Sequence, residues 1–156
     1  MLLIDVNLWK RNQNYPQSPA PGRECLSRTR VILCVDDDAA ALALRSAVLS
    51  SAGYEVLTAA DGAAALELFR RIQVDLVITD YRLPGLTGTQ VAAEMKRLKP
   101  AIPIVLFTGL VDAPLGSNHA DLVITKGMPA LEFLREVGRL SQNDNLGSAH
   151  LGGVAG

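Results

Sequence analysis

The stretch DLVITDYRLPGLTG, residues 75–88, decides how the rest of the chain is read. Its LVIT run (76–79) is apolar and rich in β-branched residues, the composition of a strand buried on both faces of a sheet. The run ends directly on an acid, Asp80, and then enters a turn carrying Pro84 and Gly88. A carboxylate that follows four apolar or β-branched residues is expensive to bury without a partner, so Asp80 reads as a functional position before a structural one.

Working outward, the same short, β-branched composition recurs in VILCV (31–35), YEVLTA (54–59), PIVLFTG (103–109) and DLVITK (121–126). Helical patterns lie between the first four: AAALALRSAVLSSAG (39–53) closing on Gly53, DGAAALELFRRI (61–72) opening on the capping residue Asp61, and TGTQVAAEMKRLK (87–99) stopping before Pro100. A last helix, PALEFLREVGRL (129–140), starts on Pro129 and carries Leu131, Leu134, Val137 and Leu140 at three-residue steps. Regular strand–helix alternation predicts an α/β fold, a doubly wound five-stranded parallel sheet with right-handed crossovers and helices on both faces. Ligands of such sheets sit at the carboxyl ends of the strands.

Composition is consistent with one such domain: 156 residues, 49% hydrophobic and 20% charged. Residues 31–140 hold the alternation. Residues 1–30 include NQNYPQSPAPG (12–22), which has three prolines and a glycine, and read as a flexible lead; SQNDNLGSAHLGGVAG (141–156) reads as a flexible tail. By count the lead carries net charge +3 and the remainder −4, within a total of −1, so no global charge draws the chain to nucleic acid or an anionic membrane. The two cysteines, Cys25 and Cys34, suit reduced thiols, and no apolar run reaches membrane-spanning length. A cytoplasmic location with no membrane partner is the expectation.

The strand ends carry the chemistry. Asp36, Asp37 and Asp38 follow the first strand, Asp80 ends the third, Thr108 the fourth and Lys126 the fifth. In a parallel sheet these ends converge on one crevice, where clustered carboxylates repel one another unless a cation neutralises them. Mg²⁺ suits carboxylate oxygens and readily shares a phosphate; Lys126 and Thr108 would bind phosphoryl oxygens, and Asp80 would be the nucleophile. Each residue alone has a plainer account: one of the three acids could cap the helix from Ala39, Thr108 could be an ordinary strand residue, Lys126 a solvated terminus. Their convergence at separate strand ends favours the chemical reading.

At these residues the chain resembles the response-regulator receiver domains of two-component signalling. VILCVDDD, DLVITDYRLPGLTG, VLFTG and VITK match the family's signature segments over residues 31 to 140. The resemblance implies a flavodoxin-like fold of receiver type and a stand-alone domain that takes phosphate from a histidine kinase or phosphotransfer protein and acts on a downstream protein partner. It would be a phosphoprotein catalysing only its own phosphorylation and dephosphorylation, not a turnover enzyme. It further implies that Asp80 is the phosphoacceptor, that Asp37 ligates Mg²⁺ directly and Asp36 through water, and that the backbone carbonyl of Arg82 completes the metal contacts. Thr108 would turn toward the phosphoryl group and Lys126 pair with it, while the small Gly109 leaves the site open. A homodimer is left open.

The chain also departs from the family. Where an aromatic switch residue usually stands, three positions before the lysine, it has Val123, whose short β-branched side chain cannot swing through the same arc. Gly127 replaces the usual proline after the lysine, so a trans peptide is expected there. The segment 109–120 contains Pro114 and Gly116 and is a few residues short, which predicts a short or absent helix between the fourth and fifth strands. His119 in that loop reads as a solvated histidine; the resemblance makes Arg82 and Leu110 the positions that tune the hydrolytic water, and an apolar Leu110 there implies slow self-dephosphorylation. Residues 141–156 cannot form a helix-turn-helix, so direct DNA binding is not expected. Two alternatives remain: a pseudo-receiver interaction module with atypical switching, and an aspartate-nucleophile phosphohydrolase using Asp36 and Asp38 as its D-x-D pair.

Overall fold

The computed structural model describes residues 28–109 and 119–142. The lead 1–27, the tail 143–156, Leu110 and the interior of the segment expected to hold a short helix, 110–118, lie outside the described residues. Among the described residues five strands are present: β1 (Val31–Val35), β2 (Glu55–Ala59), β3 (Leu76–Asp80), β4 (Ile104–Thr108) and β5 (Leu122–Thr125). Four helices accompany them: α1 (Ala39–Ser51), α2 (Gly62–Arg71), α3 (Gly88–Leu98) and α4 (Ala130–Ser141). All strand pairs are parallel and the order is β2-β1-β3-β4-β5, the doubly wound sheet that the alternation implied.

Strand periodicity divides the core into two layers. Leu33, Val35 and Val77 face Phe69 of α2 and Val91 and Met95 of α3. Ile32, Cys34, Ile78 and Ile124 face Leu42 and Leu49 of α1 and Phe133 and Val137 of α4. The helix ends follow the sequence signals. Asp61 caps α2 by accepting from the Ala64 amide at 2.8 Å. Thr87 and Gln90 form a reciprocal capping box at the start of α3. Gly53, with φ of 92°, closes α1. The apolar stripe assigned to α4 needs one correction: Phe133, Val137 and Leu140 are buried, whereas Leu131 is 71% exposed. Strict three-residue steps drift round a helix of 3.6 residues per turn, and the aromatic at 133 sits on the i, i+4, i+7 line that stays on one face.

The acids opening the two DLVIT stretches have a structural use at the end of the sheet opposite Asp80. Asp75 Oδ2 accepts the Val31 amide at 2.8 Å, and Asp121 Oδ2 accepts the Ile104 amide at 2.7 Å. Arg28 and Arg30, within the stretch read as lead, also meet the Asp75 carboxylate. No cis peptide bond occurs among the described residues, in keeping with the expectation at Gly127.

Candidate functional site

Sheet register brings the distant acids together. Val35 pairs with Thr79, so Asp36, the next residue, stands beside Asp80, and Asp80 in turn pairs with Phe107 of β4. Asp36, Asp37 and Asp80 each offer a carboxylate oxygen, and these oxygens lie within 4.8 Å of one another. Asp36 and Asp80 are almost fully buried, at 1% and 4% exposure, while Asp37 faces solvent. Such a trio, two of its members out of water, is the donor set of a small hard cation that keeps water on its open side, so these residues fit Mg²⁺.

The residues singled out at four strand ends, Asp38 excepted, meet at this corner. Lys126 Nζ donates to Asp80 Oδ2 at 2.9 Å. The Lys126 amide donates to the carbonyl of Thr108 at 2.8 Å, which fixes the lysine at the end of β4. Thr108 is buried, its hydroxyl donating to the Gly109 carbonyl at 3.1 Å. Among the described residues nothing lies within 4 Å of the position a Cβ would take on Gly109, so none of them closes the corner beside Thr108. The Arg82 amide reaches Asp80 Oδ1 at 3.4 Å, which puts that residue's backbone at the rim of the site.

Asp38 separates from its two neighbours. Its Oδ1 accepts the amides of Ala40 and Ala41 at 2.9 and 3.2 Å, so this is the member of the acidic run that caps α1. A D-x-D pair of Asp36 and Asp38 gains no support from that geometry. Val123 is 38% exposed on the outer edge strand, and His119 is exposed.

Two features escaped the sequence reading. Gly88 was read as a turn former, yet it is also where helix α3 passes against the backbone of Asp80: a Cβ there would lie 2.1 Å from the Asp80 carbonyl oxygen. Arg45 was passed over inside the helical pattern of residues 39–53. It is buried, its Nη2 donates to Asp36 Oδ2 at 3.1 Å, and its guanidinium lies 4.4 Å from the centroid of Phe107. The signal was available: Leu42, Arg45 and Leu49 share the i, i+3, i+7 spacing of a buried stripe, and an arginine on that stripe just after an acidic run calls for an acid.

Beneath Lys126, a cleft of about 280 Å³ opens between α1 and α4, lined by Leu44, Arg45, Phe107, Lys126, Met128 and Phe133. Cys34 lies in the same layer, its thiol pushed up to about 12 by burial, with the Arg45 charge lowering it and that of Asp36 raising it.

Comparison with known proteins agrees with this geometry. The family model described as response regulator receiver domain matches residues 32–134. The chain is 36% identical over 119 residues to the DNA-binding response regulator MtrA of Mycobacterium tuberculosis, covering 73% of this chain and 52% of that one. It is 42% identical over 77 residues to the transcriptional regulatory protein GlrR of Escherichia coli, covering 49% of this chain and 17% of that one. The chain thus spans about half the length, or less, of these curated relatives. Among solved structures, response regulator TrrA of Thermotoga maritima in complex with Mg²⁺ and BeF superposes with a TM-score of 0.68 at 34% identity, over 72% of this chain and 99% of that one. A CheY-like receiver domain protein of Methanospirillum hungatei superposes with a TM-score of 0.70 at 27% identity, over 74% and 96%.

Proposed function

Since the chain belongs to the response regulator receiver family, we propose that it accepts a phosphoryl group on Asp80 in a Mg²⁺-dependent reaction and passes the signal on by binding another protein. The observation that carries the reading is Asp80 itself: a 4% exposed carboxylate at a strand end, grouped with Asp36 and Asp37 and held by Lys126 at 2.9 Å. Nothing in the packing of a receiver sheet requires an acid there, and its burial is offset only by groups that also suit a phosphoryl oxygen.

Asp36, Asp37 and Asp80 would hold the metal, with the Arg82 carbonyl as a further contact. Bound there, the metal would neutralise the carboxylates and the oxygens of the incoming phosphoryl group. Asp80 supplies the nucleophilic oxygen. Its bond to phosphorus forms as the P–N bond to the donor histidine breaks, and the departing imidazole nitrogen takes up a proton. Lys126, already on Asp80 Oδ2, is placed to exchange that oxygen for one on the phosphoryl group, and the Thr108 hydroxyl, now on its own neighbour's carbonyl, has an open corner to turn into. The chain acts on its own phosphorylation state and turns over no separate substrate.

A histidine kinase or phosphotransfer protein is the proposed donor, in the cytoplasm; among the described residues no helix is long and apolar enough to cross a membrane. Val123, short and at the surface, cannot serve as an aromatic rotamer switch, so the output is read elsewhere than by a swing at that position. Incubation with acetyl phosphate and Mg²⁺ tests the proposal. An added mass of one phosphoryl group, labile to hydroxylamine and absent from Asp80→Asn or with chelator, is the expected result. Label that persists in Asp80→Asn overturns the assignment.

A further inference from the structure

A divalent cation approaching Asp36 does not meet a free carboxylate. Oδ1 accepts the Asp38 amide at 3.0 Å and Oδ2 accepts Arg45 Nη2 at 3.1 Å. The Asp36 side chain is 0% exposed and that of Arg45 is 7%, so their attraction is weakly screened by solvent and salt. The guanidinium is also incompletely bonded, since Arg45 Nη1 is buried with no hydrogen-bond partner among the described residues. What holds Arg45 in place is therefore the charge of Asp36 and the face of Phe107.

We propose that Arg45 is a resident counter-ion of Asp36 that competes with the metal: it holds the carboxylate in the metal-free protein and yields part of that hold, together with its place over Phe107, when a divalent cation enters. This rests on the reading that Asp36, Asp37 and Asp80 take up a divalent cation. Two cations drawn to one buried carboxylate repel each other, so every step toward metal binding weakens the Arg45 contact.

The consequence reaches beyond the site. Phe107 pairs with Asp80 in the sheet, precedes Thr108, and meets Phe133 of α4 edge to face, with ring centroids 6.0 Å apart. Arg45, Phe107 and Phe133 all line the cleft between α1 and α4. Occupancy of the metal site is thereby felt at that cleft by a route that needs no aromatic residue at position 123. Arg45 is a positioning residue in this account, acting on the metal through Asp36.

Isothermal titration of the full chain with MgCl₂, after chelator treatment, tests this on wild type, Arg45→Met, Asp36→Asn and the double variant. Arg45→Met is expected to bind Mg²⁺ on the order of tenfold tighter, the scale of one unit charge removed from beside a dication at a partly screened distance. That gain should disappear in the Asp36→Asn background. In wild type, the NMR signals of the Arg45 Nε–H group and the Phe107 ring should shift along the same saturation curve as the heat, and this measurement decides the matter should Arg45→Met fail to fold. Unchanged or weaker affinity in natively folded Arg45→Met, or Arg45 and Phe107 signals that stay still while Mg²⁺ binds, overturns the proposal. Absence of any saturable heat in wild type would instead overturn the metal-site reading beneath it.

Discussion

Replacing Gly88 with alanine puts a methyl group where the backbone of Asp80 already stands. The new Cβ would lie 2.1 Å from the Asp80 carbonyl oxygen, 2.9 Å from its carbonyl carbon and 3.0 Å from Leu106 Cδ1. Two of these neighbours are main chain and cannot swing aside, so β3 and the start of α3 must part by about 1 Å to restore van der Waals contact. Parting them stretches the Gly88 amide's 2.8 Å hydrogen bond to the Tyr81 carbonyl, which closes the loop between them. Overpacking of this kind costs about 1–3 kcal/mol. The opposing gain of alanine over glycine in a helix is at most about 1 kcal/mol, and smaller at the first helical residue. The expected result is a urea midpoint lowered by a net loss of about 1–2 kcal/mol. Any relaxation taken up by Asp80 carries its carboxylate away from Lys126, and a misplacement of about 1 Å costs on the order of 100-fold in rate. Acetyl phosphate labelling run beside the urea melts reads both effects. Gly109→Ala is the control, because its Cβ meets nothing within 4 Å among the described residues; it should change stability by less than about 0.5 kcal/mol. A Gly88→Ala protein that melts and labels like wild type refutes the reasoning.

Further expectations follow from the residues around the site. Asp38→Ala removes the acceptor for two amides and should cost about 0.5–2 kcal/mol in chemical denaturation; a loss of phosphorylation without that loss of stability would place Asp38 in the chemistry instead. With its thiol pushed up to about 12, Cys34 should resist iodoacetamide in the folded protein at pH 8, and peptide mass spectrometry showing rapid native labelling would contradict its burial. Burial, and then the charge of Asp75, raises the Glu55 carboxyl above its ordinary value. Its stabilising contribution is therefore present when it is protonated and lost as pH rises through the raised value. Glu55→Gln should raise the melting temperature at pH 7, with the gain fading below the ordinary carboxylate range; an equal gain at both pH values would point to another cause.

The fold was legible because each strand announced itself by composition and each helix by a signal at one of its ends. Asp61, Thr87 and Gly53 all stand where the helix signals put them, and the boundaries of the strands shift by no more than a residue at either end. Asp36, Asp37, Asp80, Thr108 and Lys126 were legible for a different reason: parallel strands point one way, so polar residues at their ends must share a corner. What the sequence could not give was the partition among like residues. By residue type alone nothing in DDD distinguishes the acid that caps α1 from the two grouped with Asp80; only the family resemblance separated Asp36 and Asp37 from Asp38, and the turn of the chain after Val35 is what groups them so. Leu131 was misplaced because a pattern of leucines at three-residue steps ignores the slow rotation of a 3.6-residue helix. Gly88 and Arg45 depend on tertiary distance, to the Asp80 carbonyl and to Asp36, which no local pattern contains.

Charge at the corner gives the reason for its construction. Among the described residues, the trio Asp36, Asp37 and Asp80 with its two paired cations, Arg45 and Lys126, carries one negative charge over. A bound dication would turn that deficit into an excess of one positive charge, and conversion of Asp80 to an acyl phosphate would add one negative charge and bring the sum to zero. Metal without phosphoryl group is thus the state the local cations oppose most, and phosphoryl group without metal is the state the carboxylates oppose most. The two ligands should therefore bind with positive coupling, each removing the repulsion that resists the other. Arg45 sets the strength of that coupling from the side of the metal and Lys126 from the side of the phosphoryl group. Because Arg45 is buried against Phe107 while Lys126 is partly solvated, only the first of these contributions should survive high salt.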